Sequence, residues 1–133
     1  MATLIKKLQM KPGQRAIIVN APDRFGYNKS EIPERVQLLD KPSGKFDYLH
    51  LFVADKSELD KFLPEALELI EYDAVFWISY PKGTSGLNSD INRDKLWTLM
   101  EDTGLRPVRA VSIDETWSAL RFRPSELVKS YKS

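Results

Sequence analysis

The sequence predicts a single α/β domain, built on a mostly parallel sheet that ends in a C-terminal antiparallel hairpin. Three observations predict it: strand-like and helix-like segments alternate along the chain, the strongest strand segments are almost wholly apolar, and a very short link joins the last two strands. The chain has 133 residues, which suits one core. We therefore expect residues 1–133 to form one domain.

The first half of the chain predicts two strong strands around a polar loop. Residues 16–19 are all apolar and end at Asn20-Ala21-Pro22, because proline lacks a backbone N–H and restricts the residue before it. Residues 25–44 are rich in turn-forming residues, and within them only 36–39 is strand-like. The second strong strand, residues 46–53, carries large side chains on both faces.

A helix is predicted next, opened by residues 56–60. Ser57 is the predicted N-cap, with Asp60 three residues later in the manner of a capping box. Apolar residues then recur at helical spacing as far as Ile70. Pro64 interrupts this pattern, and we expect it either to kink the helix or to restart it.

The second half predicts a buried strand at residues 74–79, a loop, and a helix capped by Asp90 or Asn92 that stops at Gly104. Two extended segments follow, residues 106–113 and 116–122. So short a link allows only antiparallel pairing, because a parallel return needs a long crossover. The polar tail from residue 125 predicts at most a short helix.

Composition excludes several kinds of chemistry. The chain is 42% hydrophobic and 29% charged, as expected of a globular protein, and it has no apolar run long enough to span a membrane and no secretory signal, which predicts a cytoplasmic location. The absence of cysteine excludes disulfides, thiolate catalysis and cysteine-bound metals, and His50 is the only histidine. We therefore expect neither a metal centre nor a cofactor.

The net charge of +1 conceals an uneven distribution. Residues 54–75 contain seven acidic and two basic side chains, and the segments on either side are basic. No face combines dense positive charge with interleaved aromatic residues, which disfavours nucleic-acid binding. Membrane binding is not expected either. A protein partner, self-association or a small anionic ligand remain as the expected interactions.

Polar residues follow three of the predicted parallel strands. In open α/β sheets, ligands bind beyond the carboxyl ends of the strands, and neighbouring parallel strands bring their following loops to one edge. The sequence therefore predicts a ligand site at this edge, built from Asn20, Asp55, Lys82, Gly83, Thr84 and Ser85.

The loop Pro-Lys-Gly-Thr-Ser-Gly at residues 81–86 is suited to an anion. Glycines let successive amides point inward, Lys82 adds a positive charge, and the next helix contributes its positive end. The alternative is a plain connector in which Thr84 and Ser85 bond to their own backbone, because a P-loop carries its lysine after the glycines. Asp55 also has two interpretations, a ligand contact or a cap for the next helix.

His50 and the hairpin arginines likewise have a structural and a functional interpretation. His50 has leucine on both sides in a strand, which favours a hydrogen-bonded core histidine over a catalytic base. On the hairpin, Arg121 and Arg123 alternate with apolar residues and so share one face. That face either receives an acidic partner, such as residues 55–73 of a second copy, or protects an outer strand by its charge.

Three segments carry a resemblance to known proteins. W-I-S-Y-P-K-G-T-S-G (77–86), D-I-N-R-D-K-L-W (90–97) and G-L-R-P-V-R-A-V-S-I-D-E-T-W-S-A-L-R-F-R-P (104–124) together resemble a family of small uncharacterised bacterial proteins defined only as a domain of unknown function. That resemblance implies no activity.

The order of elements is also similar to the second half of class I S-adenosylmethionine methyltransferases, which implies a Rossmann-like sheet. In those enzymes a glycine-rich loop after the first strand cradles the methionine end of the cofactor, and an acid after the second strand holds the ribose. Here Asn20-Ala21-Pro22 stands where the glycine-rich loop would be.

Taken together, the sequence favours a non-catalytic α/β domain that binds another protein, or itself, and holds a small anion at the Lys82 loop. The alternative is an enzyme acting on a nucleotide-like or adenosyl substrate, with Asp55 and Lys82 in its pocket.

Overall fold

A computed structural model of the chain describes residues 3–23, 25–83 and 90–128. These residues form one six-stranded sheet, whose strands in chain order are β1 (Arg15–Val19), β2 (Gln37–Leu39), β3 (Phe46–Phe52), β4 (Ile70–Pro81), β5 (Leu105–Ser112) and β6 (Trp117–Pro124). Across the sheet the order is β2-β1-β3-β4-β6-β5. The first four strands are parallel, and β6 runs antiparallel to both β4 and β5. This confirms the predicted mostly parallel sheet with a terminal antiparallel hairpin.

The described helices are α1 (Leu4–Lys7), α2 (Lys56–Leu69) and α3 (Arg93–Leu99), with single 3₁₀ turns at Lys29–Glu31, Glu101–Thr103 and Ser125–Leu127. None of the helices in these ranges is both long and apolar enough to cross a bilayer. The polar tail thus begins with one 3₁₀ turn. Residues beyond 128 lie outside the described part of the chain.

The start of α2 differs from the prediction. Asp55, not Ser57, is the N-cap: its backbone is extended, and its Oδ1 accepts a hydrogen bond from the Glu58 amide at 2.9 Å. Ser57 lies inside the first turn and is exposed. The helix then runs without interruption through Pro64, so it does not restart there.

The helix before the hairpin is shorter than predicted. Asn92 caps α3 as expected, with its Oδ1 accepting from the Lys95 amide at 2.9 Å, but the α-helix ends at Leu99 and a 3₁₀ turn completes the segment. Gly104 follows with φ 80°, a left-handed conformation that glycine adopts without steric cost. The predicted stop at Gly104 is confirmed.

The two faces of the sheet have different covers. One face, called the helix face, packs against α2 and α3 through Leu59, Ala66, Leu96 and Met100. The other, called the loop face, is covered by α1 and by side chains from residues 25–36. Trp77 lies fully buried on the loop face, and its Nε1 donates to the Leu8 carbonyl at 2.7 Å, which confirms its predicted place in the core.

Candidate ligand site at the carboxyl edge of the sheet

The order of the strands reverses beside β1. From β1 the chain continues to β2 on one side, and then crosses to β3 on the other side. Such a reversal leaves a crevice between the carboxyl ends of the two strands that flank it, which is where ligands bind in open α/β sheets. In this sheet the rule places that position, called the crevice below, between Asn20, which follows β1, and Ala54, which follows β3.

Asn20 bridges this crevice. Its φ of 59° is left-handed, a conformation that asparagine tolerates better than most residues. Its Nδ2 donates to the Phe52 carbonyl at 2.9 Å and to Glu58 Oε1 at 3.0 Å. The end of β1 is thus tied both to the end of β3 and to the first turn of α2.

Glu58 places a carboxylate between the residues that follow β1 and β3. Its Oε1 accepts from the Ala54 amide at 2.7 Å as well as from Asn20. Asp55 stands next to it and caps the same helix turn. Carboxylates are favoured near a helix N-terminus, where the dipole is positive. The structure therefore brings Asn20 and Asp55 together through Glu58, a residue that the sequence analysis did not select.

The side chain of Lys82 is directed to the terminal hairpin, which lies on the opposite side of β4 from β1 and β3. Its Nζ donates to Ser112 Oγ at 2.6 Å, and its backbone amide donates to the Thr116 carbonyl at 2.8 Å, so it binds the terminal hairpin. Gly83 follows it and is exposed. Thr84 and Ser85 lie outside the described residues. Anion binding by this loop therefore stays a prediction.

A further exposed acid follows β2, which ends opposite Ile17 of β1 and so short of Asn20. Asp40 directly follows β2, the strand beside β1, and its side chain is exposed. The sequence predicts a strand at residues 36–39, so Asp40 could have been found as the residue that follows it. It is not among the predicted site residues. Across the described ranges, no cluster of three or more histidine, cysteine or acidic side chains is suited to a metal ion.

The loop face contributes an aromatic wall next to this edge. The rings of Phe25 and Phe52 are 4.7 Å apart, and those of Phe52 and Trp117 are 5.3 Å apart and perpendicular. Phe25 and Trp117 are only half-buried. The wall therefore offers apolar ring surface close to the carboxyl ends of β1 and β3.

Behind this wall, His50 is locked in a buried polar network. Its Nδ1 is hydrogen-bonded to the Tyr27 hydroxyl and its Nε2 to Ser79 Oγ, both at 2.6 Å, and Tyr27 also reaches Tyr48 at 2.8 Å. Burial lowers the pKa of His50 to about 3. This supports the interpretation of a core histidine, with two hydrogen bonds where one was expected.

Comparison with known proteins gives a fold but no family. No protein-family profile and no curated protein sequence matches the chain. The resemblance to a bacterial family of unknown function therefore stays a prediction.

Solved structures do match. A Haemonchus contortus phosphoethanolamine N-methyltransferase, in complex with phosphomonomethylethanolamine and S-adenosylhomocysteine, aligns with a TM-score of 0.50 and 13% identity over 94% of this chain. Two others are a methyltransferase from Pyrococcus furiosus (TM-score 0.46, 14% identity, 89% of this chain and 78% of that one) and the N-methyltransferase NodS from Bradyrhizobium japonicum (0.40, 14%, 68% and 61%).

The chain spans 36% of the length of the Haemonchus enzyme. At such identities the likeness concerns the fold alone. The chain thus has a methyltransferase-like, Rossmann-like fold, as the order of its elements predicted.

Proposed function

We propose that the protein binds an adenosyl ligand of the S-adenosylmethionine class in the crevice between β1 and β3. The observation that carries this proposal is the reversal of strand order beside β1, with Asn20 and Glu58 at the crevice. The fold likeness to an enzyme whose structure holds S-adenosylhomocysteine supports the same ligand class. This is the alternative that the sequence left open.

The residues around the crevice fit such a ligand in two respects. Asp40 follows the strand beside β1, where the methyltransferase resemblance places the acid that holds the ribose, and a carboxylate can accept from both ribose hydroxyls. Asp55 and Glu58 also make this edge acidic, which suits a ligand with a sulfonium and an ammonium group against one carboxylate. When bound, that ligand would supply the methyl group for transfer.

The same residues limit how tightly it binds. Ala54 N and Asn20 Nδ2 are the donors that a ligand carboxylate would use, and Glu58 already occupies both. Displacing a charge-assisted hydrogen bond consumes part of the binding free energy. We therefore expect a Kd of about 10 μM to 1 mM, which corresponds to roughly −7 to −4 kcal/mol.

The second candidate is a binding role without catalysis, in line with the main prediction from the sequence. It is favoured because the titratable groups near the crevice already have structural roles: Asp55 caps α2, Glu58 bridges the crevice and His50 is buried. A protein partner at an acidic surface fits the same role, because α2 and the start of β4 expose Asp60, Glu65, Glu68 and Glu71.

Isothermal titration calorimetry with S-adenosylmethionine, S-adenosylhomocysteine and adenosine tests the proposal. We expect S-adenosylmethionine to bind, and Asp40→Asn to weaken it about tenfold or more, since a hydrogen bond to a charged group contributes about 1.5–3 kcal/mol. Asp102→Asn is the matched control, because Asp102 is also exposed but follows α3 in the 3₁₀ turn away from this edge. Its Kd should not change.

Two outcomes would contradict the proposal. One is the absence of binding heat and of thermal stabilisation at about 10 mM ligand, where a Kd of 1 mM would add roughly 1.4 kcal/mol to the free energy of unfolding. The other is equal weakening by the Asp40 and Asp102 variants. Binding of S-adenosylmethionine without methyl transfer to a panel of amine acceptors would confirm the adenosyl site and assign it a role without catalysis.

A further inference from the structure

The terminal hairpin places four arginines opposite one another in pairs. Arg106 faces Arg123, and Arg109 faces Arg121, across the β5–β6 ladder. Like charges directly opposite in a sheet are destabilising, so each arginine needs a separate explanation. β5 is an open edge strand, and Arg106 and Arg109 are exposed on it, where charge prevents pairing with other chains. That explanation does not apply to β6, which is an inner strand.

The position of Arg123 opposite another arginine is explained by a neighbouring carboxylate. Its Nε and Nη2 donate to the two oxygens of Asp73, both at 2.8 Å, which is the bidentate geometry that a guanidinium prefers. Asp73 adopts a left-handed φ of 58° just before the buried part of β4. The hydrogen bond from Arg123 lowers the pKa of Asp73. This pair is satisfied.

Arg121 is not explained in this way. Its Nη1 donates to Gln9 Oε1 at 2.6 Å, but its Nε is buried and meets no hydrogen-bond partner within the described ranges. Burial lowers its pKa, and the neighbouring charges of Arg123 and Arg109 act in the same direction. The Nε edge is the one through which Arg123, two residues further on, holds a carboxylate. Arg121 is therefore a half-buried guanidinium that lacks an oxygen acceptor on this edge.

Arg121 and Arg123 line a groove of about 650 Å³ at the amino edge of the parallel strands. Its walls are residues 11–14 and 71–75. This volume lies within the range of about 300–1,000 Å³ that is usual for small-molecule sites. The groove is at the opposite end of the strands from the crevice between β1 and β3.

The charge of the groove restricts its ligand. Three cations, Lys11, Arg121 and Arg123, are balanced by three acids, Asp47, Glu71 and Asp73. Asp73 is held by Arg123, and Asp47 accepts from the Arg15 amide at 3.0 Å, whereas Glu71 is exposed. A balanced lining disfavours polyphosphates and other multiply charged anions. It suits a molecule that carries one positive and one negative group.

We propose that this groove is a binding site for a zwitterion of the amino-acid or short-peptide class, with its carboxylate on Arg121 and its ammonium on Glu71. Arg121 lines the groove, and a guanidinium is the cation whose planar donor set best matches a carboxylate. Glu71 offers an exposed carboxylate to the ammonium group. The proposal does not depend on the adenosyl site.

Amide chemical-shift mapping with triglycine as the probe tests the proposal. We expect saturable shifts in residues 11–14, 71–75 and 121–123, with affinity reduced at least tenfold for acetate and for glycinamide, which each lack one of the two charges, and no binding of pyrophosphate. Arg121→Gln should abolish the triglycine shifts. Arg93→Gln, an exposed arginine on α3, is the matched control and should leave them unchanged.

A second variant keeps the test decisive if Arg121→Gln is unstable. Glu71→Gln changes only an exposed side chain, and we expect it to weaken triglycine at least fivefold without changing the response to acetate. Absence of shifts at about 10 mM triglycine, roughly ten times a Kd of 1 mM, would overturn the proposal, as would pyrophosphate binding at Arg121. Triglycine shifts confined to residues 19–23 and 53–58 would place the zwitterion in the adenosyl crevice instead.

Discussion

At the scale of single residues, the buried network around His50 explains how a loop covers one face of the sheet. Buried polar groups cost free energy unless they are hydrogen-bonded. His50 and Ser79 come from adjacent strands, and Tyr27 comes from the loop between β1 and β2. Because these side chains satisfy one another's hydrogen bonds, Tyr27 fixes the loop to the sheet. The loop can therefore cover this face in place of a helix.

This network predicts loss of stability in mild acid. The pKa of His50 is lowered from 6.5 to about 3 in the folded protein, so below pH 6.5 the unfolded chain binds a proton that the folded protein does not. The stabilisation is complete above the unfolded pKa and is lost as the pH falls from there toward the folded pKa. We expect a loss approaching about 1.4 kcal/mol per pH unit.

Urea unfolding between about pH 7 and pH 5 measures this loss, and His50→Gln is the comparison, since glutamine can hydrogen-bond but does not titrate. Asp73 and Glu126, whose pKa values are lowered by hydrogen bonds from Arg123 and Tyr72, act only at lower pH. Equal losses in the wild-type protein and the variant would contradict a neutral, buried His50.

At the scale of elements, the beginning of α2 allows a direct test of local geometry. Asp55 accepts the first-turn amide of Glu58, whereas Ser57 faces solvent inside the helix. Asp55→Ala should therefore reduce the free energy of unfolding by about 0.5–2 kcal/mol. Ser57→Ala should stay within about 0.5 kcal/mol, as is usual for an exposed position.

Chemical denaturation of both variants checks this prediction. A larger cost for Ser57→Ala than for Asp55→Ala would contradict it, because Ser57 would then be the N-cap and the helix would begin after Lys56.

The same elements show what the sequence could and could not predict. The strands at residues 16–19 and 46–53 were predictable because nearly every position is apolar, as burial on both faces requires. The N-cap of α2 was not predictable, because Asp55 and Ser57 are both good N-caps and only the backbone conformation selects one. β4 also begins earlier than predicted, because α2 passes into it at Ile70 without a loop.

The candidate site was predictable only where it depends on topology. Parallel neighbours bring Asn20 and Asp55 to one edge, as the sequence indicated. The direction of Lys82 was not predictable, because it depends on Ser112, which belongs to a later strand. The contact between Asn20 and Glu58 likewise joins residues far apart in the chain, so no local sequence pattern predicts it.

At the scale of the whole molecule, the sheet separates two edges with different chemistry. The carboxyl edge carries the crevice at which the strand order reverses, with Asn20 and Glu58 beside it. The amino edge carries the groove lined by Arg121 and Arg123. Since parallel strands point their following loops to one end, the carboxyl edge gathers the segments that follow β1, β3 and β4.

The central claim is that this carboxyl edge holds the adenosyl ligand. Its most direct test is a crystal structure of the protein grown with S-adenosylmethionine at a concentration well above the measured Kd. We predict electron density for the ligand between the ends of β1 and β3, with its ribose at Asp40 and its methionine end at Asn20. Density at the groove beside Arg121, or no ligand density at either edge, would contradict the claim.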